Sequence, residues 1–303
     1  MTSIKSKLFY QIARATGTKK VFQSNETELF AYVNNTLRKR RFAEPSKKQL
    51  NTCDIEKKTL DGLTYYKVSP KGTSSDKAVL YAHGGAFIME ITPVHWHFIT
   101  QTACETNSVF YVPIYPLAPE HSCIETFDFL LSLYENVILP TKPKKFFVMG
   151  DSAGGSISLS FAMYLREKNF PQPDHIILIS PAIKMTSFTE EEIEKKATIN
   201  KSDPLLAPDS FETIGKWWSG DLELTHYMVS PLLGDFKGIG KITLITGTYD
   251  VLSVFCEELH QKAITENIPL NYHVFEKMIH CFVALPTKEA AEGRKIIYKA
   301  LNS

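Results

Sequence analysis

The stretch Lys145-Phe-Phe-Val-Met-Gly150-Asp151-Ser152-Ala153-Gly154-Gly155 decides how the chain folds. It is a run of apolar β-formers, then Gly-x-Ser-x-Gly, then a helix-like segment over Ser156–Lys168. A serine in that setting sits on a tight strand-to-helix turn. Gly150 and Gly154, two residues before and after it, let strand and helix approach without side-chain clash. The hydroxyl then projects from the carboxyl edge of a sheet at a helix N-terminus, where the helix dipole and free N–H groups favour a developing negative charge. Ser152 is therefore the candidate nucleophile. The plainer reading is a glycine-rich helix start with a capping serine.

The same alternation continues on both sides. Strands are expected at Thr64–Val68, Ala78–Ala82, Val109–Ile114, His175–Ser180, Ile242–Thr246 and Asn271–Phe275, besides Lys145–Met149. Several are continuous apolar runs, which suit strands buried on both faces of a parallel sheet. Helix-like stretches lie between them at His95–Thr106, Ile124–Val137, Val254–Glu266 and Lys288–Leu301. The fold class is α/β, built from βαβ units. Two stretches break the pattern. Residues 1–50 are helix-like and end in the basic run Arg38-Lys39-Arg40-Arg41, and residues 184–227 form a helical insertion between two strands. Both pieces could cover one end of the sheet.

Composition excludes several classes. With 34 Lys and Arg against 33 Asp and Glu, the net charge is +1, and a duplex-binding protein usually shows a strong basic excess. A hydrophobic fraction of 44% excludes a disordered chain. The length of 303 residues fits one large domain or two ordinary ones. Charges or prolines interrupt every apolar run well before about 20 residues, so no membrane anchor is expected. The N-terminus has no signal-peptide pattern, and cytoplasmic residence is the simple expectation. The five cysteines lack CxxC pairs, which makes neither a disulfide framework nor a zinc site. No cofactor, metal or nucleic acid is expected. The basic run at 38–41 reads as a solvated helix end rather than a patch for an anionic membrane.

A second motif precedes the first. Ala78-Val-Leu-Tyr-Ala-His83-Gly84-Gly85-Ala86-Phe87 again follows a strand, and such a turn can aim backbone N–H groups at a carbonyl oxygen. With the N–H of Ala153 these would form an oxyanion hole; the plainer reading is a β-turn with two glycines. Serine needs a base to take its proton, and there are nine histidines. In this architecture an acid and then a histidine follow the serine, each after a late strand. Asp250 and His280 hold those places, as acid and general base respectively. His83 more simply organises its turn, and His95 and His97, two apart, do not share a helix face. Asp235 precedes its strand and lies at the wrong edge. Cys281 lacks an elbow and reads as a packed thiol.

HGGAF (83–87), YPLAPEH (115–121), GDSAGG (150–155), Gly-x-x-Asp-x-Leu (247–252) and His-x-Phe (280–282) together resemble the hormone-sensitive-lipase-like branch of the α/β-hydrolase superfamily, over roughly residues 75–285. The resemblance implies serine carboxylesterase activity, with Ser152, Asp250 and His280 as the triad and Gly85, Ala86 and Ala153 as oxyanion donors. His83, Gly84, Gly150, Asp151 and Gly154 carry the motifs. It also implies a helical cap made from residues 1–50 and the 184–227 insertion on a catalytic domain of 51–303. Three departures bear on pocket shape: Ala86 replaces a third glycine, Tyr115-Pro116-Leu117 replaces Tyr-Arg-Leu, and His121-Ser122-Cys123 lacks the following prolines. Phe87, Trp217, Trp218 and Phe282 are candidate pocket residues; the tryptophans could equally seal the cap onto the core. The expected partner is a small ester with a short to medium acyl chain, and a homodimer stays open. An amidase or peptidase with the same triad, or a binding protein on a hydrolase scaffold, are the rival functions.

Overall fold

The computed structural model describes residues 2–39, 41–186 and 188–303. Its centre is an eight-stranded sheet in the order β1-β2-β4-β3-β5-β6-β7-β8. The strands are β1 (Cys53–Leu60), β2 (Leu63–Pro70), β3 (Lys77–Ala82), β4 (Val109–Pro113), β5 (Lys145–Asp151), β6 (His175–Ile179), β7 (Lys241–Tyr249) and β8 (Leu270–Ile279). β2 runs antiparallel to β1 and β4; all other pairs are parallel.

The apolar runs make this sheet because alternate residues bury on opposite faces. Ala78, Leu80 and Ala82 of β3 enter one core and Val79 and Tyr81 the other. Phe146 and Val148 of β5 follow the first set, and Phe147 and Met149 the second. Four short helices precede the sheet: α1 (Ile4–Ala15), α2 (Thr18–Phe22), α3 (Glu26–Tyr32) and α4 (Lys47–Thr52). The crossovers are α5 (Pro93–Thr106), α6 (Cys123–Leu133), α7 (Ala153–Glu167) and α10 (Ser253–Thr265), with α11 (Lys288–Leu301) at the end. Between β6 and β7 the chain forms α8 (Glu190–Asn200) and α9 (Phe211–Ser219). Pro93 opens α5 at a position where its missing N–H costs nothing.

Three features differ from the sequence reading. β1 was not expected; its sequence, Cys-Asp-Ile-Glu-Lys-Lys-Thr-Leu, is mostly exposed at the sheet edge, where charge discourages edge-to-edge pairing. The helix expected over Ile124–Val137 ends at Leu133 and continues as a π-turn over Tyr134–Ile138. The basic run is not simply solvated. Arg38 donates to Glu120 (2.7 Å) and to the Ile88 carbonyl (3.0 Å), so it ties the N-terminal segment to the turn after β3. Arg40 lies outside the described residues.

The β5–α7 junction sets up the site. Gly154 faces the end of β3 so closely that a Cβ there would run into the Ala82 carbonyl. Held by that contact, Ser152 adopts φ 51° and ψ −121°, a left-handed region that costs a non-glycine residue roughly 1–3 kcal/mol. The turn is clamped: the Ser152 N–H donates to Ile179 O (2.8 Å), and its carbonyl accepts from Gly155 (3.0 Å) and Ala182 (3.0 Å). Gly154→Ala should therefore lower the unfolding free energy in urea by about 1–3 kcal/mol or more, the cost of overpacking against backbone that cannot yield. A variant as stable as the parent would contradict this packing.

Candidate active site

The loop after β3 carries the first group of candidates. Gly85 adopts φ 136°, Ala86 φ 52° and Phe87 φ 63°. A Cβ on Gly85 would collide with the Met89 carbonyl, so only glycine fits. Ala86 tolerates the left-handed region at a cost of roughly 1–2 kcal/mol. Among the described residues, the amides of Gly85, Ala86 and Ala153 donate to no internal acceptor, which leaves them free for a ligand oxygen. Asp151 ties this loop to the elbow. Its carboxylate accepts from the Gly84 N–H (3.1 Å) and from Tyr81 Oη, and lies 3.3 Å from His95 Nε2. Burial alone would raise the Asp151 pKa; His95 and Tyr81 outweigh it and hold the carboxyl down to about 2. His83 is fully buried, its Nδ1 is 2.7 Å from Gly84 O, and its ring stacks on Tyr115 at 4.3 Å. Burial lowers it to about 3, so it is a neutral brace within its turn.

The second group comes from the carboxyl ends of β7 and β8. His280 Nδ1 lies 3.0 Å from Asp250 Oδ2, and Asp250 Oδ1 accepts from Leu252 N–H at 3.0 Å. Asp250 is fully buried. Burial alone would lower the His280 pKa; the Cys281 sulfur and the Asp250 carboxylate reverse this and hold it well above the ordinary imidazole range. Burial pushes the Cys281 thiol up to about 11, with His280 partly offsetting the rise. That thiol is neutral at pH 7, so Asp250 is the anion that stabilises the imidazolium. Parallel strand polarity accounts for the arrangement: β5, β7 and β8 all end at the edge where Ser152 sits.

One neighbour was not found from the sequence. Asp203 is buried and caps a turn after α8, accepting from Leu205 N–H (2.8 Å), Leu206 N–H (2.9 Å) and Val251 N–H (2.8 Å). It thereby links the 184–227 insertion to the loop that carries Asp250. Burial and the adjacent Asp250 charge raise its carboxyl to about 6. Cys281 is not merely a packed thiol. It is half-buried, with Sγ 3.4 Å from His280 Nε2 and 3.8 Å from Asp151 Oδ2. His95, which shares no helix face with His97, is instead engaged by Asp151.

Ser152 opens onto an apolar cavity lined by Phe22, Ala86, Phe87, Met185, Leu206, Phe211, Ile214 and Leu252, among others, with a free volume of about 20 Å³. Of the four candidate pocket residues, Phe87 lines it and Trp218 stacks behind Phe87 at 4.5 Å. Trp217 and Phe282 are not among its lining residues. Trp217 meets Phe30 edge-on at 5.9 Å, and Phe282 packs on Phe275 in the other core. A second cavity, about 170 Å³, lies at His280, Cys281, Asp151 and His95. A further cavity, about 680 Å³, opens between α8, α10 and β8 and holds none of the candidate catalytic groups.

A mostly parallel sheet with a strained serine at a strand–helix elbow and a His–carboxylate pair on the same edge defines a class of hydrolase. A family model described as the alpha/beta hydrolase fold matches residues 79–284, and the chain belongs to that family. This agrees with the resemblance drawn from the motifs. A triacylglycerol lipase of Mycobacterium tuberculosis is 26% identical over 76% of this chain and 47% of its own length; the chain thus spans about half of that relative. An esterase of Acinetobacter venetianus is 26% identical over 69% of this chain and 68% of its own. Among solved structures, an esterase from the bacterial hormone-sensitive lipase family superposes with a TM-score of 0.81 at 19% identity, covering 100% of this chain and 98% of that one.

Two outcomes check this electrostatic picture. In an NMR titration His280 should titrate above the ordinary value of about 6.5. Asp250→Asn should lower that pKa, because the anion favouring the imidazolium is gone; an unchanged value would contradict the pairing. The stabilisation from this pair is present below about pH 6.5 and is lost as pH rises through the folded-state pKa of His280. Asp203→Ala leaves three amides without their acceptor and should cost at least about 1–3 kcal/mol in urea denaturation; a loss near zero would show that Asp203 holds nothing.

Proposed function

We propose that this protein is a carboxylesterase acting on short- to medium-chain acyl esters through an acyl-enzyme on Ser152. Residues 1–50 and 184–227 form its cap. The observation that carries this reading is the 3.0 Å contact of His280 Nδ1 with buried Asp250, on the edge where Ser152 is held in its strained turn.

In the first step His280 Nε2 takes the Ser152 proton as Oγ bonds to the substrate carbonyl carbon. The carbonyl oxygen becomes an oxyanion, which the free amides of Gly85, Ala86 and Ala153 stabilise; one such donor is worth on the order of 10²–10³ in rate. The imidazolium, stabilised by Asp250, then protonates the departing alkoxide as the C–O bond breaks. Water repeats the sequence on the acyl-enzyme, with His280 again as base, and releases the acid and Ser152. No group in this sequence is left unbalanced: the serine proton leaves with the alcohol, and a water proton restores it.

The acyl preference rests on the cavity at Ser152. A free volume of about 20 Å³ is little more than the ~10–15 Å³ one water-sized group requires, which supports short acyl groups unless the walls move. The leaving alcohol is expected on the side of the second cavity, beside His280. A binding protein on this scaffold has no need for a strained serine on the same sheet edge as a histidine paired with a buried carboxylate, so that rival is disfavoured.

Ser152→Ala should keep its circular dichroism and lose about 10³-fold or more in p-nitrophenyl acetate hydrolysis. Across a p-nitrophenyl series the rate should be highest for the shortest esters and fall steeply toward palmitate. Full activity in the alanine variant would overturn the nucleophile, and a maximum at palmitate would overturn the substrate class. A matched anilide of the best acyl group should be cleaved far more slowly; equal rates would favour the amidase.

A further inference from the structure

Helix α1 is built the wrong way round for a helix that only packs. Its large aliphatic residues Ile4, Leu8 and Ile12, four apart and hence on one face, are 85%, 56% and 48% exposed. The face it turns inward carries small residues, Ser6 and Ala13. Three hydrogen bonds hold that inner face: the Ser3 N–H and the Ser3 and Ser6 hydroxyls donate to Glu289 of α11. Tyr10 adds a ring contact with Tyr249 at 5.7 Å. The helix is therefore anchored with its apolar stripe outward.

Charge around the stripe is one-sided. The first 25 residues contain Lys5, Lys7, Arg14, Lys19 and Lys20 and no aspartate or glutamate, although the whole chain is only +1. Lys19 reaches the Asn200 and Asp203 carbonyls. Among the described residues, Lys5, Lys7, Arg14 and Lys20 have no acidic partner. On the helix, Lys5 flanks the stripe on one side and Lys7 and Arg14 on the other. An exposed aliphatic stripe rimmed by unpaired cations fits the interface of an anionic bilayer: the side chains enter the acyl boundary while the cations reach phosphate headgroups.

We propose that α1 is a peripheral docking helix for anionic lipid membranes, with Ile4, Leu8 and Ile12 inserting and Lys5, Lys7, Arg14 and Lys20 contacting headgroups. Tyr249, which Tyr10 touches, directly precedes Asp250. Docking would hold the candidate site within about one helix diameter, ~10–12 Å, of a phase in which apolar esters concentrate. The binding is reversible, since a single short helix falls far below the affinity of a spanning segment; no helix among the described residues is long and apolar enough to cross a membrane.

The test is co-sedimentation of the full chain with phosphatidylcholine vesicles, with and without phosphatidylserine, at low salt. The parent should partition at least about tenfold more strongly onto the phosphatidylserine vesicles, and salt should weaken this. The triple variant Ile4→Ser, Leu8→Ser, Ile12→Ser, and separately Lys5→Glu, Lys7→Glu, Arg14→Glu, should each reduce that partitioning by about tenfold or more. Both should keep the parent's melting temperature and its rate on soluble p-nitrophenyl acetate. Absence of parent binding to the anionic vesicles, or parent-like binding by either variant, would overturn the proposal. So would sedimentation velocity showing a parent dimer that the serine variant turns into monomer, because the stripe would then be a self-association surface. Vesicle binding needs no turnover, so it stands or falls separately from the esterase reading.

Discussion

At the β5–α7 junction two backbones meet with no room for a side chain between them. Gly154 lies against the end of β3, and Ser152 is forced to positive φ. Everything else at the site is arranged around that contact. The strain aims the hydroxyl away from the sheet, and the helix that begins at Ala153 presents its first free amide beside it. The core finances the strain: β3, β5, β6 and β7 are buried on both faces, so the elbow cannot relax without disturbing both layers.

Buried carboxylates then hold the loops in register. Asp151 bonds Gly84 and so fixes the distance between the elbow and the candidate oxyanion turn. Asp203 bonds Val251 and fixes the insertion to the loop that carries Asp250. Neither needs to meet substrate. Each satisfies backbone amides that would otherwise be unpaired in the interior, which is the main way a buried carboxylate contributes to order. The candidate site depends on these ties because its groups come from the ends of three strands and must be held close together.

The strands that carry the site were legible because burial on both faces leaves uninterrupted Val, Ile and Phe runs. β1 was not, because an edge strand such as Asp54–Thr59 is polar for the same physical reason that it is exposed. Ser152, Asp250 and His280 could be picked as candidates by chain order and strand ends alone, and the structure brings Asp250 and His280 into contact. Asp203 could not: its partner Val251 is 48 residues away. The adjacent tryptophans show a further limit. Consecutive residues on a helix point about 100° apart, so Trp218 goes inward onto Phe87 while Trp217 turns toward Phe30. Only the three-dimensional turn after β8 puts the Cys281 sulfur beside His280.

The proposed esterase requires Ser152 to be an activated nucleophile whose reactivity depends on His280. Incubation with a fluorophosphonate probe followed by peptide mass spectrometry tests it directly. One adduct is expected, on the peptide containing Ser152, and it should be lost in His280→Ala. Labelling at another residue, or none with the folded protein, would contradict it.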